Sequence, residues 1–103
     1  MRQVLILEEA AEDIAVAKDF YECIDTGLGD YYFDSIMTDL ESLGLFHGIH
    51  ARHFGFQRML ASRFPFGIYY EDTSDATRVF AVLDLRRDPT WIRVELSGRP
   101  LDS

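Results

Sequence analysis

Lysine is almost missing from this chain: Lys18 stands alone, and every other basic residue is arginine. Ten basic residues face eighteen acidic ones, for a formal net charge of −8 and a pI near 4.6. That balance argues against a protein that lives on phosphate backbones, and so against direct nucleic-acid binding. A single cysteine, Cys23, excludes an internal disulfide framework and suits a reducing compartment. No apolar run approaches the roughly 20 residues needed to cross a bilayer. The N-terminus enters a short apolar strand without the flanks of a signal peptide. These absences place the chain in the cytoplasm, away from membranes. Internal repeats and low-complexity tracts are absent too.

What is present fits one globular domain, residues 1–103. A chain of this size buries about 60–70% of its unfolded surface, so it folds without metal or cofactor. The charge is unevenly spread. Residues 1–51 hold two basic groups against eleven acidic ones, whereas residues 52–103 hold eight arginines against seven acids. Arginine suits bidentate contact with carboxylate or phosphate, so a local anion site belongs in the second half.

Periodicity supplies the elements. Val4 to Leu7 reads as a short strand. Ile14, Ala17, Tyr21 and Ile24 then recur at steps of three, four and three, one face of a helix whose first turns carry Glu8, Glu9, Glu12 and Asp13. Gly27-Leu28-Gly29 stops it, and Asp30 is placed to cap a second helix with Phe33, Ile36, Met37, Leu40 and Leu43 on one stripe. Asp34, Asp39 and Glu41 fall on its opposite face. A loop from Gly44 to Gly55 holds His47, His50 and His53. Their spacing would gather them only on a helix, so they read as surface loop residues, with no metal. Phe56 to Phe64 reads as a strand, turned by Pro65.

Two apolar strands follow, Ile68 to Glu71 and Arg78 to Leu85, joined by Asp72-Thr73-Ser74-Asp75. The second is apolar on both parities and belongs in a sheet covered on both faces. Beyond it, Asp88 as cap, Pro89 in the first turn and Gly98 as stop favour a short helix over an alternating strand. The expectation is an α+β fold, β-α-α-β-β-β. A two-helix hairpin lies on one face of a four-stranded, mostly antiparallel sheet, with a short C-terminal helix and tail. Two helices cover one face only. Strict alternation puts Ile68, Tyr70, Phe80 and Val82 together, so an apolar face is left for a partner.

The residues that carry a family resemblance run from Val4 to Arg93. They are Ala10-x-x-Asp13-Ile14, Phe20-Tyr21-Glu22, the Phe33…Leu40…Leu43 stripe, Arg63-Phe64-Pro65-Phe66-x-Ile68-Tyr69-Tyr70, Val79-x-Ala81-Val82-Leu83 and Arg86-Arg87-Asp88-Pro89. In combination they resemble the RelE/ParE toxin superfamily of type II toxin–antitoxin systems, closer to the ParE-like branch. The resemblance implies two helices on a four-stranded sheet and a co-encoded antitoxin whose C-terminal segment wraps the toxin. In the ParE branch it implies poisoning of DNA gyrase; in the RelE branch, ribosome-dependent mRNA cleavage.

Cleavage of mRNA needs clustered cations with an acid/base within reach. Arg58, Arg63, Arg78, Arg86 and Arg87 supply cations. The basic-plus-tyrosine ending of the RelE branch is missing, because Thr90-Trp91 follows the Arg-Arg-Asp-Pro end. No catalytic residue is therefore assigned. The expected partner site is Arg58, Arg63, Tyr70, Phe80, Val82, Arg86 and Arg87, receiving an amphipathic antitoxin segment, with self-association when the antitoxin is absent. A ribosome-dependent nuclease and a non-toxic member of the superfamily stay open as alternatives.

Overall fold

A computed structural model describes residues 2–99. The elements run β1 (Gln3–Ile6), α1 (Glu8–Ile24), α2 (Leu28–Phe46), β2 (Arg52–His53), β3 (Phe56–Leu60), β4 (Phe66–Asp72), β5 (Ala76–Asp84) and α3 (Pro89–Ser97). The strands form one sheet in the order β1-β5-β4-β3-β2; β1 lies parallel to β5 and the other pairings are antiparallel. The α+β expectation holds, with five strands in place of four. The extra one is the two-residue β2, which pairs with β3 across a Phe54-Gly55 turn where both residues have positive φ. The tail beyond Arg99 lies outside the described residues. No helix among those described is long and apolar enough to cross a membrane.

α1 and α2 pack as a hairpin on one face. Glu22 fixes the bend, accepting from the Gly27 N–H at 3.0 Å and the Gly29 N–H at 3.0 Å. Gly29 sits so close to α1 that an added Cβ would lie 2.6 Å from the Lys18 carbonyl. α2 starts two residues before the expected Asp30 cap. Its buried line is Tyr32, Ser35, Ile36, Asp39, Leu40 and Leu43, so Phe33 points outward and Asp39 inward. The buried Asp39 carboxylate accepts from the Ser62 N–H at 3.0 Å. Ile24, expected on α1's buried face, is exposed.

The sheet departs from strict alternation at one place. The register shifts between Tyr69 and Tyr70, so Tyr69 faces Ala81 while Tyr70 faces Val79. Phe80 is the extra residue of this bulge. Val79 and Val82 therefore share the helix-side core with Met59, Phe66, Ile68 and Tyr70. Phe80, Ala81 and Leu83 join Phe56 and Tyr69 on the other face, where Ile92 and Leu96 of α3 cover them. This corrects the open-face expectation. Tyr70 and Val82 lie under the helices, Phe80 lies under α3, and all three are buried. An alternation rule cannot see a bulge. β5 is covered on both faces, as its double apolar parity requires.

Two of the three histidines are tied in rather than free on the surface. His50 Nδ1 and the Gly48 N–H meet the Tyr70 hydroxyl, which donates to Gln57 Oε1 at 3.2 Å. Burial lowers the His50 pKa. His47 Nδ1 lies 3.0 Å from Asp72, which also accepts from the Thr77 hydroxyl at 2.6 Å. Arg2 reaches the same corner through Thr77 and the carbonyls of Thr73 and Ala76. This clasp ties the chain start, the end of α2 and the β4–β5 turn together.

Candidate functional site

β1 pairs with β5 only as far as Val79, so residues 80–84 have no strand beyond them on that side. A groove of about 710 Å³ runs along this open edge. α1 forms one wall with Glu9, Glu12, Asp13, Val16 and Phe20; α3 forms the other with Trp91, Val94 and Glu95, and Arg99 follows it. Val82, Leu83 and Asp84 make the floor.

The edge itself is closed by an ion pair. Asp13 accepts from the Val82 N–H at 3.0 Å and from both Arg99 Nη atoms at 2.9 Å, a bidentate pair. Arg99 also donates to the Phe80 carbonyl at 3.3 Å and to Glu95 at 3.2 Å. The pair thus occupies one N–H and one C=O that a neighbouring strand would use. Burial, the largest influence, raises the Asp13 pKa against the Arg99 and Val82 bonds that pull it down.

At the far end Arg86 grips Asp84, with Nε–Oδ1 at 3.0 Å and Nη2–Oδ2 at 2.7 Å, and holds that carboxyl below its usual range. The Arg87 guanidinium stacks 3.8 Å over the Trp91 ring. Asp88 caps α3 through the Thr90 N–H at 2.8 Å. The Arg-Arg-Asp-Pro end is therefore an ion pair, a stacked cation and a helix cap.

The depressed carboxyls set an acid limit. Asp72 stays low because bonds from Thr77 and His47 outweigh its desolvation. A depressed folded pKa gives stability that is present above the unfolded value, about 3.9, and is lost as pH falls through the folded one. The urea midpoint is expected to drop below about pH 4, and Asp72→Asn with Asp84→Asn should flatten that drop. A native profile that stays level from pH 5 to 2.5 would contradict it.

Of the residues expected to meet a partner, only Val82 and Arg87 line the groove. Arg58 lies opposite Tyr69 on β3, on the sheet face that carries α3, and Arg63 sits exposed in the β3–β4 turn. Tyr70 and Phe80 are interior, and Arg86 is committed to Asp84. The sequence reading missed the α1 wall and the α3 wall. Val16 and Phe20, one turn apart and off the buried stripe, were the available signal.

No family model and no curated protein sequence matches the chain. Its structure is similar to a chain of the chromosomal ParDE TA system from P. aeruginosa, with a TM-score of 0.67 and 16% identity. The match covers 80% of this chain and 94% of that one. The fold is ParE-like.

Proposed function

We propose that the chain is the toxin of a type II toxin–antitoxin pair, a protein-binding module that a co-encoded antitoxin holds inactive in the cytoplasm. One observation carries this reading: a ParE-like fold with a groove walled by exposed apolar side chains. Its action is on a protein target, DNA gyrase being the one the ParE branch implies. The arginines support binding better than chemistry, since Arg86 is spent on Asp84, Arg87 on Trp91 and Arg99 on Asp13. Without its antitoxin the exposed groove favours self-association.

Inducing the chain alone and then with the neighbouring small gene tests the proposal. Expected are growth arrest with loss of gyrase supercoiling, rescue by the second gene, and a complex that survives purification. Codon-boundary cuts in mRNA would move the assignment to the nuclease class. Unaffected growth with no complex would overturn it.

A further inference from the structure

We infer that the segment seated in the groove between α1 and α3 is a cationic amphipathic helix of the partner. Its apolar side would lie on Val16, Phe20 and Val94, and its lysines or arginines would meet Glu9 and Glu12. The inference rests on the groove being the partner site and adds the chemistry of the occupant. Three observations carry it.

The walls are apolar yet open: Val16 is 63% exposed, Phe20 56% and Val94 61%. Val16 and Phe20 are one helical turn apart and present a continuous ridge.

The groove charge outside ion pairs is net negative, Glu9 and Glu12 against Arg87. Arg99 is held by Asp13 and Glu95, and Arg86 holds Asp84. Lys18, the one base of α1, pairs with Asp30 outside the groove. Among the described residues Glu9 and Glu12 have no partner, and Arg87 lies flat on Trp91. The sequence offered arginines to an amphipathic segment; the groove offers it free carboxylates as well.

Part of the open-edge backbone is already taken. Strand addition needs free N–H and C=O groups on β5. Asp13 occupies the Val82 N–H and Arg99 the Phe80 carbonyl. A strand would have to displace that pair, whereas a helix that binds through side chains leaves it in place.

Trp91 is the sole tryptophan and lines the groove, so its emission reports occupancy. The probes are two synthetic amphipathic peptides of about 15 residues, long enough to hold a helix. They share one leucine stripe and differ in carrying lysine or glutamate at the polar positions. At low salt the full chain is expected to bind the lysine peptide roughly three- to ten-fold more tightly, an advantage that shrinks as salt rises. The double variant Glu9→Gln, Glu12→Gln should lose the preference and keep the circular-dichroism spectrum. A tighter glutamate peptide, or a preference the double variant retains, overturns the sign. A silent Trp91 with both peptides overturns the helix site. If the co-encoded protein binds the double variant as tightly as the native chain, this inference falls and the toxin–antitoxin reading stands. A lysine-peptide response in a chain with no co-encoded partner sinks that reading alone.

Discussion

Asp13→Ala is expected to lower the unfolding free energy by about 3–5 kcal/mol, read from urea denaturation at pH 7. The size follows from what is left behind. Arg99, whose side chain is only 7% exposed, loses its bidentate partner and keeps only Glu95 and the Phe80 carbonyl. The Val82 N–H loses its acceptor on the open edge of β5. A buried charge stripped of its main partner and an orphaned backbone donor both cost more than the intact pair contributes. Burial raises the Asp13 pKa, so its own contribution is fullest below the ordinary carboxyl value and declines as pH rises through the raised one. Asp13→Asn keeps an oxygen for Val82 and should lose less than the alanine variant. Asp13→Leu with Arg99→Met should lose less than the two single changes summed. Against a total stability of about 5–15 kcal/mol, the alanine loss is a large share. A loss under about 1 kcal/mol would mean the pair behaves as a screened surface bridge.

The same residues show what a sequence can and cannot reveal here. The break between α1 and α2 was legible because Gly27 takes a positive φ, and the start of α3 because Asp88 supplies a side-chain oxygen and Pro89 lacks an N–H. The covered strand was legible because Val79 to Leu83 has no polar parity. Facing was not. One extra residue at Phe80 moves Val79 and Val82 to the same side, and nothing in the letters marks that insertion. The partner site depended on facing and so went to interior residues. The groove depends on Asp13 and Arg99, 86 positions apart, meeting at an edge that β1 leaves open. Contacts of that separation have no periodicity to read. The tilt of α2 also escaped the stripe: Tyr32 and Asp39, in place of Phe33, complete its buried side.

Leu96→Ala bears on the remaining disagreement, whether the second sheet face is closed by the chain itself. Leu96 and Ile92 are buried against Phe56, Tyr69, Phe80, Ala81 and Leu83. Truncating Leu96 removes about three carbons from that contact and leaves a cavity between a short helix and the sheet. The expected loss is about 2–5 kcal/mol in the urea midpoint analysis, with new binding of a hydrophobic dye as α3 loosens from Tyr69 and Phe80. Val94, on the groove side of the same helix, is the control: Val94→Ala should fall within about 0.5 kcal/mol. The contrast matters more than either value, because helix propensity favours alanine at both positions and so cannot account for a loss at Leu96. If Leu96→Ala were neutral, α3 would not be holding the face, and the buried Tyr69–Phe80 layer would be free to receive a partner. If it costs several kcal/mol while Val94→Ala does not, α3 is part of the core. The proposed α1–α3 groove then remains a surface that a partner could reach without opening the sheet.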